Sequence, residues 1–140
     1  VTRRVIGTDR IASVVEAGCG TGKNTRFFAE IADAVHALDF SDGMLAVART
    51  RVTAPHVRFD RVDLSAPWPV EAGAAQLVSF NLVLEHIERL APVLRSACDA
   101  LAPGGAVFIS ELHPFKQYQR SQPRFIDATG QEVRVPSFTH

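Results

Sequence analysis

Along this chain, short runs of apolar residues alternate with segments in which apolar residues recur every three or four positions. The first pattern predicts buried strands, and the second predicts helices with one apolar face. We expect five strands, at about residues 13–16, 34–39, 57–62, 76–81 and 106–112. We expect three helices, at about residues 22–32, 42–52 and 91–102, with Ser41 as the N-cap of the second.

The spacing of apolar residues also predicts which face of each helix is buried. The expected inner residues are Phe27, Phe28 and Ile31 in the first helix, Met44, Leu45 and Ala48 in the second, and Leu94, Cys98 and Leu101 in the third. The sequence Pro103-Gly104-Gly105 is expected to end the third helix before the last strand begins.

Regular alternation of strand and helix predicts a single α/β domain with a doubly wound, mostly parallel sheet and helices on both faces. Residues 1–12 form a polar lead in which we expect no helix, and residues 13–112 form the core. Residues 113–140 form a tail, in which residues 124–136 have the pattern of a hairpin. We expect this tail to be a flap over the carboxyl ends of the strands, where ligands bind in such sheets.

Composition and charge limit the classes of partner that we expect for the chain. Lys and Arg number 15, as do Asp and Glu, so no basic excess favours nucleic acid, and no apolar run is long enough to favour a membrane. Cys19 and Cys98 have no spacing to histidine that is typical of a metal site. We expect reduced thiols and a cytoplasmic protein, and the excess of Arg over Lys hints at a bacterial source.

The strongest functional signal is the stretch VVEAGCGTGKNT at residues 14–25. It predicts a strand, a glycine turn and the start of a helix, in which backbone N–H groups lie open to a ligand. A phosphate-binding P-loop would need glycine in place of Ala17, and a dinucleotide fingerprint would need glycine in place of Lys23. The pattern without a defect is acid-x-Gly-x-Gly-x-Gly, formed by Glu16, Gly18, Gly20 and Gly22.

This pattern resembles the first motif of class I S-adenosylmethionine-dependent methyltransferases. Three further stretches resemble later motifs of that family in the same order: LDFSDGML, RFDRVDLS and LVLEHI, each at the end of a predicted strand. Gln76 departs from the acid that the family often has at the start of the fourth strand. The resemblance covers about residues 13–112 and implies strand order 3-2-1-4-5, with S-adenosylmethionine as methyl donor and S-adenosylhomocysteine as product.

By this resemblance, the strand ends together form the cofactor site. Its implied residues are Glu16, Gly18, Cys19, Gly20, Gly22, Asp39, Phe40, Met44, Asp63, Leu64 and Asn81. The acid of the first motif suits a cationic ligand, Asp39 would hold the ribose hydroxyls, and Asp63 would accept from the adenine amino group. Phe40 and Met44 would flank the adenine, and Asn81 would lie beside the methionine part. On the residues alone, Asp39 suits a helix N-terminus equally well and Met44 suits the core better.

Two histidines near strand ends are candidates for a general base. His86 lies at the rim of the expected pocket, and His113 follows the fifth strand directly. Either could take a proton from a substrate hydroxyl or amine. A surface position for His86 and a turn position before proline for His113 are the alternatives, and both stay open.

The resemblance therefore implies methyl transfer to a small-molecule acceptor, of the kind typified by quinone precursors, through direct displacement. Two alternatives stay open: a non-catalytic cofactor-binding or regulatory subunit, and an NAD-dependent oxidoreductase, which Lys23 disfavours. Because the family continues with further strands, we expect this chain to be a fragment or a shortened form. Strand five would then be an open apolar edge, through which we expect a homodimer or aggregation.

Overall fold

The computed structural model describes residues 1–112, 124–126, 131–134, 137–138 and 140. The helices are α1 (Thr2–Ile6), α2 (Lys23–Ile31), α3 (Asp42–Arg51) and α4 (Leu90–Ala100), with one 3₁₀ turn at Leu84–His86. The strands are β1 (Ile11–Ala17), β2 (Ala32–Asp39), β3 (Val57–Arg61), β4 (Ala75–Asn81), β5 (Leu101–Ser110), β6 (Arg124–Ile126) and β7 (Glu132–Arg134).

The main sheet has five strands in the order β3-β2-β1-β4-β5, and all four pairings are parallel. This confirms the predicted fold class and strand order. Consecutive side chains of the central strand β1 point to opposite faces of the sheet, and both faces are covered by core. Val14 belongs to the core between the sheet and α2, whereas Val15 belongs to the core beneath α4.

Helices α2 and α4 cover opposite faces of this sheet. The predicted inner residues Phe27, Phe28 and Ile31 of α2 are all buried, which confirms that part of the pattern. On α4 the buried residues are Val93, Ala97 and Ala100.

The predicted inner stripe of α4 is wrong. Leu94 and Cys98 are exposed, and Leu101 already belongs to β5. The buried stripe lies one residue earlier, where the small side chains of Ala97 and Ala100 let the helix lie close to the sheet. Leucine and cysteine gave the stronger apolar signal, although alanine also forms helix interfaces.

The second helix agrees with the sequence except at its first inner residue. Ser41 caps α3 by accepting from the Met44 N–H, as predicted. Leu45 and Ala48 are fully buried, whereas Met44 is 46% exposed. The Met44 side chain is therefore not part of the hydrophobic core.

The expectation of no helix in residues 1–12 is also wrong, because α1 spans Thr2–Ile6. Ile6 packs on the same core as α2, Arg3 forms an ion pair with Glu30, and its guanidinium lies 5.0 Å from the Phe27 ring centre. A helix of five residues is too short to show a helical period in its apolar residues. The helix is stabilised by tertiary contacts with α2, which the spacing of apolar residues cannot indicate.

Strand β5 begins earlier than predicted, at Leu101, and carries Pro103-Gly104-Gly105 within an irregular start. It is an edge of the main sheet, and Val107 and Ile109 are 39% and 49% exposed. Pairing of this edge with a second copy stays a prediction.

In the tail, β6 and β7 pair antiparallel as a separate two-stranded sheet, which confirms the hairpin. The predicted turn at residues 127–130 lies outside the described residues. The role of the tail as a flap stays a prediction.

Candidate active site

A cavity of about 850 Å³ lies at the carboxyl ends of the strands. It brings together most of the residues that the sequence predicts. Of these, the cavity wall contains Gly18, Cys19, Gly20, Asp39, Phe40, Met44, Asp63, Leu64, Asn81 and His86. This volume falls within the range of small-molecule sites in proteins.

The glycine turn is held by β2, its neighbour in the sheet. The N–H groups of Gly18 and Cys19 both donate to the carbonyl of Leu38, at 2.8 and 2.9 Å. Gly20 has a φ of +53°, and a Cβ placed on it would meet no atom within 4 Å. The backbone at Gly20 is therefore open to a ligand, and glycine tolerates its left-handed conformation.

Asp39, at the end of β2, connects the glycine turn to α3. Its Oδ2 accepts from the Gly20 N–H at 2.7 Å, and its Oδ1 accepts from the Ser41 N–H at 2.9 Å. Each carboxylate oxygen can accept a second hydrogen bond. The side chain is thus held in place by backbone donors and still has acceptor capacity for hydroxyl groups in the cavity.

Glu16 does not reach the cavity wall, contrary to the expectation of an acid that faces a cationic ligand. It is 1% exposed beneath the turn, where the Thr25 hydroxyl donates to Oε2 at 2.5 Å. Burial raises the pKa of Glu16 to about 8; the hydrogen bond from Thr25 opposes this rise, and the charge of Asp39 adds to it by a smaller amount. At neutral pH the side chain is therefore protonated, and it supports the turn from below without a charge.

Gly22 is also absent from the wall. It has a φ of +79°, and a Cβ on it would lie 3.1 Å from Ala48 on α3. This glycine serves the close approach of α2 and α3, so its role is packing.

The side of the cavity that follows β2 and β3 combines apolar side chains with carboxylates. Phe40 is 64% exposed and Met44 46% exposed, and both line the cavity together with the buried Leu64. Asp63 is positioned by accepting the Ser65 N–H at 2.9 Å. Exposed apolar side chains beside a held carboxylate suit a flat, partly polar ring such as a nucleobase.

Asn81, at the end of β4, is held from two directions. Its side-chain oxygen accepts from the Thr2 hydroxyl at 2.9 Å, and its Nδ2 donates to the Ser79 hydroxyl at 2.8 Å. Helix α1 is therefore anchored to the cavity wall through Thr2.

His86 lies at the rim, on the 3₁₀ turn that follows β4. Its side chain is 32% exposed, and Nε2 lies 3.8 Å from Glu85 Oε1. The second histidine candidate, His113, lies outside the described residues.

Cys19 lines the cavity but is unsuited to nucleophilic chemistry. Burial raises the pKa of its thiol, and the neighbouring Glu16 and Asp39 raise it further. Because the thiolate is the reactive form, the thiol is inert at neutral pH.

Sequence reasoning missed several residues of the wall. These are Lys23, Asn24, Ser41, Ser65, Leu82, Val83, Ile87, Glu88 and Phe138. Most of them lie within the motifs that were recognised, next to residues that had been given a role, so assigning every residue of each motif to the wall would have found them. Phe138 had no such signal, and it is fixed by its N–H, which donates to the Glu85 carbonyl at 2.7 Å.

Two observations concern the part of the chain that the structure describes. Within it, no group of three or more His, Cys, Asp or Glu side chains could hold a metal ion. The helices described there include none that is long and apolar enough to cross a membrane.

Comparison with protein families decides the relationship: a model of the methyltransferase domain matches residues 14–105. This chain belongs to the methyltransferase domain family. The match confirms the resemblance to class I S-adenosylmethionine-dependent methyltransferases, and it spans the glycine turn, both acidic strand ends and the β4 region.

Individual relatives agree with this assignment. An uncharacterized methyltransferase of Emericella nidulans is 32% identical over 94% of this chain, and a malonyl-[acyl-carrier protein] O-methyltransferase of Pseudescherichia vulneris is 34% identical over 76%. Among solved structures, the DhpI–SAM–HEP complex is 28% identical over 98% of this chain, with a TM-score of 0.75.

The chain spans about half the length of the curated relatives that it matches. It covers 52% of the Emericella protein and 41% of the Pseudescherichia enzyme. Of the DhpI chain it covers 67%.

Proposed function

We propose that this protein binds S-adenosylmethionine and transfers its methyl group to a small-molecule acceptor. The observation that carries the proposal is the pairing of an open glycine backbone at Gly20 with the held carboxylate of Asp39 in one cavity. When bound, the cofactor supplies an electrophilic methyl group on a sulfonium. The residues present fit this cofactor, because the cavity offers hydrogen-bond acceptors for its hydroxyl groups and exposed apolar side chains for its base.

The residues of the chain bind the cofactor and orient it. Asp39 accepts from the ribose hydroxyls, Phe40 and Met44 cover the adenine, and Asp63 accepts from its amino group. Asn81 and the turn backbone hold the methionine part. Alignment of two reactants in a site from which water is excluded accounts for much of the acceleration of a displacement reaction.

For the acceptor, we propose an oxygen nucleophile. The relatives include a malonyl-[acyl-carrier protein] O-methyltransferase, and a ubiquinone biosynthesis O-methyltransferase of Xanthomonas campestris that is 32% identical over 73% of this chain. We propose that His86, at the rim, takes the proton of a phenol or alcohol. We also propose that the protein is cytoplasmic and has neither nucleic-acid nor membrane partners.

The test combines binding with turnover. Calorimetric titration should show that S-adenosylhomocysteine binds and NAD does not. Methyl-labelled S-adenosylmethionine should then label at least one member of a panel of phenols and carboxylic acids. Binding of NAD alone would overturn the proposal in favour of an oxidoreductase, and binding without label on an extended panel would favour a subunit without chemistry.

A further inference from the structure

Glu111 follows edge strand β5 and makes contacts that none of the motifs anticipated. Its Oε1 accepts from the N–H groups of Val83 and Leu84, both at 3.0 Å. Its Oε2 is buried and has no hydrogen-bond partner among the described residues. A buried carboxylate with one unpaired oxygen is costly, so the two charge-assisted bonds at Oε1 are what keep this side chain in place.

The backbone that Glu111 holds is strained. Leu82 has a φ of +54°, the left-handed region that a leucine rarely adopts. Its N–H donates to the carbonyl of Ser110 at 2.9 Å. Such a conformation persists only where the surroundings over-determine it. The end of β5 therefore fixes this corner of the chain with three hydrogen bonds, from Leu82 to Ser110 and from Val83 and Leu84 to Glu111.

Val83 connects this corner to the glycine turn. A Cβ placed on Gly18 would overlap the Val83 methyl groups and would lie 2.7 Å from Val83 Cβ. The Val83 side chain therefore rests directly on the Gly18 backbone, and both residues line the main cavity. If Val83 moved, the turn would lose the surface against which it is packed.

We propose that Glu111 is a positioning residue for the cofactor site, which holds Val83 against Gly18 by fixing the N–H groups of Val83 and Leu84. The inference rests on the proposed function for its ligand, because the site that Glu111 supports is the one assigned to S-adenosylmethionine. Glu111 itself does not line the main cavity and acts through Val83.

The experiment compares three substitutions at one position, with S-adenosylhomocysteine as the probe. Glu111→Ala removes the acceptor and should weaken binding about tenfold, the scale expected for two lost backbone hydrogen bonds. Glu111→Asp shortens the side chain by one methylene and should weaken binding in the same direction. Glu111→Gln keeps an oxygen at the Oε1 position and should restore binding to within about threefold of the native chain. Glu71→Ala, which removes an exposed acid far from the cavity, is the matched control.

A second readout does not need the cofactor. Amide hydrogen exchange at Val83 and Leu84 should be faster in Glu111→Ala and Glu111→Asp, and close to native in Glu111→Gln. If thermal stability falls while the dissociation constant stays native, Glu111 is only structural and the inference is wrong. If Glu111→Ala does not fold, Glu111→Asp and Glu111→Gln decide between the same two results.

The two proposals fail in different ways. Absence of S-adenosylhomocysteine binding by the native chain overturns the proposed function, whereas unchanged amide exchange in Glu111→Asp overturns the role of Glu111. Equal binding by Glu111→Ala and the native chain overturns the role of Glu111 alone.

Discussion

The glycine-turn side of the cavity and its β4–β5 side are assembled in different ways. On the first side, the turn, Asp39 and α3 belong to successive elements of the chain, from β1 through α2 and β2 to α3, and are joined by backbone donors. On the second side, Asn81 depends on Thr2, which is 79 residues away, and Val83 depends on Glu111. We call the first the continuous side, because it comes from successive elements of the chain, and the second the composite side, because it also depends on α1, which is distant in the sequence.

This difference in assembly suggests separate roles for the two sides, one in cofactor binding and the other in methyl transfer. The continuous side offers backbone and acceptors, which a ligand of fixed structure requires. The composite side contains the rim residue His86 and the strained Leu82, and under the proposed function the acceptor would approach there. We therefore expect substitutions on the first side to change cofactor affinity and substitutions at the rim of the second to change rate.

The largest expected effect is on the composite side. If His86 is a general base, His86→Ala should lose on the order of 10²–10⁴ in kcat, while the dissociation constant for S-adenosylhomocysteine stays native. His56→Ala, a histidine that contacts the Ala29 carbonyl on another part of the fold, is the control and should keep its rate. A loss of only a few-fold in His86→Ala would show that the reaction proceeds through alignment alone.

The second effect concerns stability on the glycine-turn side. The pKa of Glu16 is raised to about 8 in the folded chain, so between its unfolded value and pH 8 the folded state holds a proton that the unfolded state lacks. Stability should therefore fall as pH rises through this range, by an amount on the order of a few kcal/mol. Glu16→Gln cannot ionise and should remove most of that slope.

Urea unfolding at several pH values would check this. The Glu16→Gln variant should gain stability relative to the native chain as the pH rises from 5 to about 8. Parallel curves for the two proteins would mean that Glu16 is not held protonated. Thr25 can still donate to the amide oxygen of glutamine, so its hydrogen bond does not confound the comparison.

The smallest effect is on affinity at Asp39. Asp39→Ala should lose on the order of 1–3 kcal/mol of binding to S-adenosylhomocysteine, since ribose hydroxyls and two backbone donors lose their acceptor. Asp42→Ala removes an exposed acid three positions along the chain and should bind normally. If calorimetry finds native affinity in Asp39→Ala, the ribose assignment is wrong and the two sides do not divide as described.

The sequence allowed the alternation of strands and helices and the glycine turn to be predicted because both are short-range patterns, whereas the strand order was implied by the resemblance to the methyltransferase family. Alternating apolar and helical segments specify the sheet, and Asp39 is recognisable from its place at a strand end. The depth of Glu16 was not predictable, since a strand-end acid looks the same above or below a turn. Its burial became evident only through Thr25 and the surrounding core.

The composite side was largely outside the reach of such reasoning. Nothing in LVLEHI shows that Leu82 adopts a positive φ, because that conformation is imposed by Ser110 and Glu111 from β5. The short α1 has too few residues to show a period. The α4 stripe was misplaced for a different reason, namely that the exposed Leu94 and Cys98 gave a stronger apolar signal than the buried Ala97 and Ala100.

The two hydrogen bonds from Gly18 and Cys19 to the Leu38 carbonyl have a consequence for the order of folding during synthesis. Residues 18–20 leave the ribosome before their partners at 38 and 39, so the turn has no template when it first emerges. Its shape can be completed only after α2 has crossed over and β2 has paired with β1, which is a non-local and therefore slow step. A nascent chain can therefore bind its ligand only after β2 has paired with β1. The onset of ligand binding during synthesis would mark the time of that pairing.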